Sequence, residues 1–136
     1  MAVVKELLRS EADGTISFGD HTLEEKAKLD NFEHCGDLYK VKTFKTMTKL
    51  ERNGMFVYES VPGTSVSHFV ETADGVKFTV EGDEDAQITL ELEEDTEYQV
   101  LVNGNSAGKM KTNLGGKLNI SVELAGFGEV LVVVTR

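Results

Sequence analysis

The sequence predicts an all-β protein, a β-sandwich of about a dozen short antiparallel strands. Three observations support this fold class: apolar and polar residues alternate along most of the chain, thirteen glycines and one proline punctuate it, and no long segment has helical periodicity. The alternation is clearest at 117–124, KLNISVEL, where every second residue is apolar. A period of two is typical of a strand with one face in the core and the other in solvent.

The first half of the chain is predicted to form hairpins. Asp13-Gly14 and Asn53-Gly54 are turn signals, because a type I′ turn needs positive φ at both central residues. The segment 22–30, TLEEKAKLD, is the best helical candidate, with a strand or an irregular loop left open. The strands predicted here cover residues 3–9, 15–19, 27–34, 38–43, 44–51 and 55–61.

The second half is more regular and predicts about seven strands, which is typical of an immunoglobulin-like or fibronectin-like sandwich. The chain has one cysteine and no tryptophan, so it lacks the disulfide and the core tryptophan of antibody domains. The likeness to them is therefore one of architecture only. Pro62-Gly63 breaks the pattern, which predicts a hairpin region at 1–62 and an Ig-like region at 63–136, with one continuous domain left open. The predicted strands are 66–70, 76–80, 88–92, 98–102, 107–112, 118–124 and 130–135.

Two segments are apolar on both faces, MFVYESV at 55–61 and VLVVVT at 130–135. Such a strand is either covered on both sides or in contact with another chain. The second alternative predicts a homo-oligomer. The side chains expected to mediate self-association are Met55, Val57, Val130, Val132 and Val134.

The net charge of −10 is concentrated in the second half. Residues 1–62 contain nine basic and eleven acidic residues, a net −2, and residues 63–136 contain five and thirteen, a net −8. A negative surface repels phosphates, which excludes nucleic acid and anionic membrane as partners. The first ten residues lack a signal-peptide pattern and no apolar run approaches the ~20 residues of a membrane helix, so a cytoplasmic protein is expected, with a partner-dependent or non-standard export route left open.

Motifs for catalysis and metal binding are weak. Ser67-His68 and His34-Cys35 are neighbours in sequence, and neighbours on a strand point to opposite faces. Cys35 is the single cysteine. A Cys–His pair would therefore need His21 or His68 to approach Cys35 through space. The acidic runs 81–85 and 91–97 carry oxygen ligands suited to calcium but match no EF-hand loop. No catalytic, cofactor-binding or metal residue is therefore predicted.

A carbohydrate ligand is a further alternative. Tyr39, Phe56 and Tyr58 are a possible platform for stacking on sugars, although core packing is the favoured interpretation of large aromatic residues. A glycoside hydrolase would in addition need two carboxylates at a fixed separation.

The segments LYKVKTF, KLERNGMFVYESVPGTSV, FTVEGDEDAQITLELEEDTEY and GKMKTNLGGKLNISVEL resemble a family of short all-β proteins of anaerobic gram-positive bacteria. The resemblance covers nearly the whole chain and implies a single-domain protein, and the family's members are mostly without assigned function. Some members are labelled endosialidase. Sialidases use three substrate-binding arginines and an aspartate-box repeat, whereas this chain has only Arg9, Arg52 and Arg136 and no such box. The label therefore transfers no activity and no catalytic residue.

The sequence thus predicts, first, a non-catalytic structural or interaction protein that self-associates through its apolar strands. The alternatives are a carbohydrate-binding module and a small glycan-acting hydrolase of the kind that the family label suggests.

Overall fold

The computed structural model describes residues 3–136 and confirms the all-β sandwich. Thirteen strands are formed, and residues 3–136 include no helix. Consequently, this part of the chain has no helix long and apolar enough to cross a membrane. The strands are β1 (Leu8–Ser10), β2 (Ile16–Phe18), β3 (Ala27–His34), β4 (Asp37–Thr43), β5 (Thr48–Arg52), β6 (Met55–Val61), β7 (Ser65–Thr72), β8 (Gly75–Glu81), β9 (Ala86–Glu91), β10 (Glu97–Val102), β11 (Asn105–Lys111), β12 (Lys117–Val122) and β13 (Val130–Thr135).

The strands form two antiparallel sheets. The seven-stranded sheet has the order β1-β2-β7-β8-β13-β10-β11, and the six-stranded sheet has the order β12-β9-β6-β5-β4-β3. Each sheet contains strands from both sides of Pro62-Gly63, and one core cluster includes side chains from both sides. The predicted regions 1–62 and 63–136 therefore share both sheets and the core.

Side chains facing inward from the two sheets fill the core. In the six-stranded sheet, Ile88 pairs with Ile120 and Leu90 with Leu118, and all four are buried. The predicted period of two is therefore the spacing at which β9 and β12 place side chains in the interior.

Two predicted strands begin later than expected. Residues 3–7 form no strand, because Leu7 has φ of 72° and its N–H donates to the Val4 carbonyl in a turn, so β1 starts at Leu8. Residues 44–47 also turn, with the Phe44 N–H donating to the Met47 carbonyl, and β5 starts at Thr48. The segment 22–26 is a loop that leads into β3, so the helical alternative for 22–30 is wrong.

A buried polar network lies where the chain crosses from β6 to β7. The crossover brings the Thr64 backbone into the interior, where its polar groups need partners. The Thr48 hydroxyl donates to the Thr64 carbonyl at 2.7 Å and accepts from its N–H at 3.1 Å. The Thr64 hydroxyl in turn bonds those of Tyr58 and Ser60, each at 2.7 Å. This network closes one end of the sandwich, beyond the end of β6.

Candidate functional site: a cleft at the open end of the sandwich

The opposite end of the sandwich, where β6 begins, contains a cleft of about 650 Å³. Its volume lies within the range of small-molecule binding sites. Both sheets contribute, since β5, β6 and β9 belong to one and β7, β8 and β10 to the other. The lining residues are Arg52, Phe56, Val57, Glu71, Thr72, Ala73, Gly75, Glu91, Leu92, Glu93, Glu94, Tyr98, Gly115 and Arg136.

An ion pair between Arg52 and Glu71 joins the two sheets at one side of the cleft. Arg52 is the last residue of β5, and its guanidinium lies near the hydroxyl of Tyr39 on β4. Burial raises the pKa of Tyr39, and the neighbouring guanidinium of Arg52 opposes this shift. The ion pair holds the side chains of Arg52 and Glu71 together at this wall.

Tyr98 and Arg136 supply hydrogen-bond donors from the seven-stranded sheet. Tyr98 is 2% exposed, and its hydroxyl accepts the Glu93 N–H at 3.1 Å. Within residues 3–136 this is the only hydrogen bond at that oxygen, so the hydroxyl proton has no acceptor among these residues. The Arg136 guanidinium donates to the Ala73 carbonyl at 2.8 Å through one nitrogen and has further N–H groups to offer.

Phe56 is half-buried on the cleft wall, and two lysine ammonium groups lie near its ring. The Lys117 Nζ lies 4.0 Å from its ring centroid, and the Lys49 Nζ lies 5.9 Å away. Lys117 also forms an ion pair with Glu91 at 2.7 Å. The ring therefore already acts as a cation–π acceptor.

The predicted aromatic platform is not formed. Tyr39 and Tyr58 are buried, at 8% and 0% exposure, and of these three residues only Phe56 lines the cleft. Burial raises the pKa of Tyr58, whose hydroxyl is enclosed with that of Thr64. Core packing, the favoured interpretation, accounts for both tyrosines, and the platform of three rings is corrected to one.

The side chains expected to mediate self-association are mostly in the core. Met55 is 65% exposed, whereas the four valines are buried and cannot contact another chain. The central position of β13 explains its apolar sequence, because the strand is flanked by β8 and β10 and packs one face into the core. The buried valines are Val57, Val130, Val132 and Val134.

The outward face of β13 is also apolar. Leu131 is 36% exposed, and Val133 pairs with Leu101 of β10 on the same face. Leu101 and Val133 are both partly exposed. These three side chains, here called the outer apolar row, give the outer surface of the seven-stranded sheet an apolar patch.

Cys35 and His34 contact each other, contrary to expectation. The argument that neighbours point to opposite faces holds within a strand, but Cys35 lies in the β3–β4 turn with φ of 51°. Its Sγ is 3.5 Å from the His34 Nε2, and the other ring nitrogen bonds the Ser10 hydroxyl at 2.7 Å. The partner imidazole is thus that of His34 rather than the expected His21 or His68.

A Ser–His–Asp arrangement also occurs, which sequence reasoning missed. His21 Nδ1 is 2.7 Å from the Ser65 hydroxyl, and its Nε2 is 3.6 Å from the Asp83 carboxylate. Ser65 is fully buried, so its hydroxyl is not accessible to a substrate. The three residues belong to separate segments and carry no local motif, so only the fold reveals their proximity.

One carboxylate of the acidic run 81–85 has a structural role. The Asp85 carboxylate accepts the Leu124 and Ala125 N–H groups at 3.0 and 3.1 Å, which connects two loops. In the described part of the chain, no group of three or more His, Cys, Asp or Glu side chains has an arrangement that could hold a metal ion.

Comparisons of the chain with protein-family models, with curated proteins and with solved structures find no match. The fold and the site therefore define the class of protein on their own: a two-sheet antiparallel β-sandwich with a polar cleft at one end.

Proposed function

We propose that this protein is a non-catalytic interaction domain that binds carbohydrate in the end cleft. One observation supports the proposal: a cleft of ligand size, built by both sheets, combines hydrogen-bond donors and acceptors with the aromatic side chains of Phe56 and Tyr98. Ligand sites of this kind use a few placed polar groups to fix orientation within a concave surface.

The polar groups of the cleft match the chemistry of a sugar. A hydroxyl group both donates and accepts hydrogen bonds, so a saccharide is best held where both kinds of partner are present. Arg136 and the Tyr98 hydroxyl are the donors, and the carboxylates of Glu93 and Glu94 are the acceptors. The Phe56 ring adds an apolar surface on the same wall.

A glycan array followed by calorimetry tests this proposal. We expect at least one oligosaccharide to bind, and we expect Arg136→Ala to weaken that binding. Glu123→Gln, at an exposed carboxylate outside the cleft, is the matched control and should bind as the wild type does. A silent array, or equal binding by the Arg136→Ala variant, would contradict a carbohydrate site in the cleft.

A second candidate function is self-association through the outer apolar row. The observation that favours it is a partly exposed Leu131 on a central strand, next to the apolar pair of Leu101 and Val133. A homo-oligomer formed there should be measurable by light scattering across a range of concentrations. Leu131→Lys should give a monomer, and Met55→Lys, at the exposed start of β6 in the other sheet, should not. A wild-type protein that stays monomeric throughout would exclude it.

The hydrolase alternative stays a prediction. The contact between Cys35 and His34 brings a thiol and an imidazole together, but these residues lie outside the cleft lining.

A further inference from the structure

Resting on the proposed function, we infer that the end cleft selects glycans that carry protonated amino groups, such as oligomers of glucosamine, over N-acetylated and acidic glycans. The inference concerns the ligand class of the site and follows from how the charges in the cleft are paired.

Three of the six charged residues that line the cleft are paired within the protein. Arg52 is paired with Glu71, and Lys117, beside the cleft, is paired with Glu91. The remaining charges are one cation, Arg136, and two exposed carboxylates, those of Glu93 and Glu94. No ion pair of either carboxylate is recorded within residues 3–136.

The carboxylates lie next to a buried polar group, the hydroxyl of Tyr98. The N–H of Glu93 donates to the hydroxyl of Tyr98, which is 2% exposed and lines the cleft with an uncommitted proton. A saccharide hydroxyl can accept that proton while a ligand ammonium meets the carboxylates. The site therefore offers a sugar-binding contact and a charge-binding contact within one short segment, 93–98.

The charge of the molecule acts in the same direction, because the chain carries a net charge of −10, which attracts cations and repels acidic sugars.

The test compares three tetrasaccharides by calorimetry at a pH where the amine is protonated. These are the glucosamine tetramer, its fully N-acetylated form and the galacturonic acid tetramer. We expect the amino form to bind roughly three- to tenfold more tightly than the N-acetylated form, since two exposed ion pairs contribute modestly. The acidic form should not bind measurably, and added salt should reduce the preference for the amine.

The double variant Glu93→Gln/Glu94→Gln should bind the amino and N-acetylated forms equally, whereas Glu97→Gln, at an exposed carboxylate outside the cleft lining, should keep the preference. A simple diamine without a sugar ring should not compete. Equal binding by all three tetramers, a preference that survives in the double variant, or competition by the diamine overturns the inference and leaves the proposed function standing. If none of the tetramers binds and the glycan array is silent, the proposed function fails and the inference fails with it.

Discussion

The ring of Tyr58 meets that of Phe18 edge-on, with centroids 5.2 Å apart and planes at 76°. Tyr58 belongs to the six-stranded sheet and Phe18 to the seven-stranded sheet, so this contact joins the two layers at the centre of the sandwich. Two more rings of the seven-stranded sheet, Phe69 and Phe78, surround Tyr58 at 6.2 and 5.6 Å. Edge-to-face pairs contribute about 0.5–1.5 kcal/mol beyond the burial of their surface.

The first prediction concerns this aromatic cluster. Phe18→Ala should lower the free energy of unfolding by about 3–5 kcal/mol, because it removes a fully buried ring and leaves a cavity between the sheets. Urea denaturation followed by circular dichroism measures the change. Phe127→Ala, at a ring that is 59% exposed, should change stability by less than about 0.5 kcal/mol. Equal effects of the two substitutions would show that the ring of Phe18 is not part of the core.

The second prediction concerns the hydroxyl of Thr48. Thr48→Val keeps the shape of the side chain but deprives the Thr64 N–H and carbonyl of their recorded partner in the interior. The cost should be about 2–4 kcal/mol, since an unsatisfied buried group costs about 1–3 kcal/mol. Thr79→Val, on the outward face of β8, is the matched control and should be close to neutral. A neutral Thr48→Val would mean that water replaces the hydroxyl.

Three strand segments predicted from the sequence, 27–34, 55–61 and 130–135, match β3, β6 and β13 at both ends. The ends of β6 could be predicted because Asn53-Gly54 and Pro62-Gly63 bound it. The prediction failed at residues 3–7, where the apolar residues suggested a strand but Leu7 adopts a positive φ that no pattern indicates.

Strand order limited what could be predicted about the site. The cleft brings Arg52, Glu71, Tyr98 and Arg136 together from four different strands or their ends, and their proximity depends on pairing between distant segments. Burial was also ambiguous, because the valines of β13 fit a central strand as well as an interface. The period of two fixes which residues share a face but does not determine what covers that face.

The third prediction concerns pH. The hydroxyl of Ser17 and the guanidinium of Arg9 hydrogen-bond the carboxylate of Glu11 and lower its pKa. A carboxylate whose pKa is lower in the folded state contributes stability above its unfolded pKa, and this contribution is lost as the pH falls through the folded value. The wild type should therefore be more stable than Glu11→Gln at pH 7, and the difference should shrink between about pH 5 and pH 3.

Urea denaturation at several pH values measures this difference. Glu97→Gln, at an exposed carboxylate for which the described chain shows no hydrogen bond, should differ from the wild type by the same amount at each pH. A stability difference for Glu11→Gln that is equally independent of pH would contradict the assignment of its lowered pKa to Ser17 and Arg9.

The fourth prediction concerns the crossover between β6 and β7. A Cβ added to Gly63 would lie 1.9 Å from the Phe44 carbonyl oxygen, which is backbone and cannot rotate away. The Gly63 N–H also donates to the Lys45 carbonyl at 3.0 Å, so the two segments are held together at this point. Gly63→Ala should therefore lower the free energy of unfolding by about 1–3 kcal/mol or more, the usual cost of overpacking.

Gly115→Ala is the control. The nearest atom to the Cβ added there is the Asn113 side-chain oxygen at 3.4 Å, so this variant should be neutral or slightly stabilising. Thermal unfolding of the two variants distinguishes these outcomes, and a Gly63→Ala variant as stable as Gly115→Ala would show that the crossover can move away from Phe44.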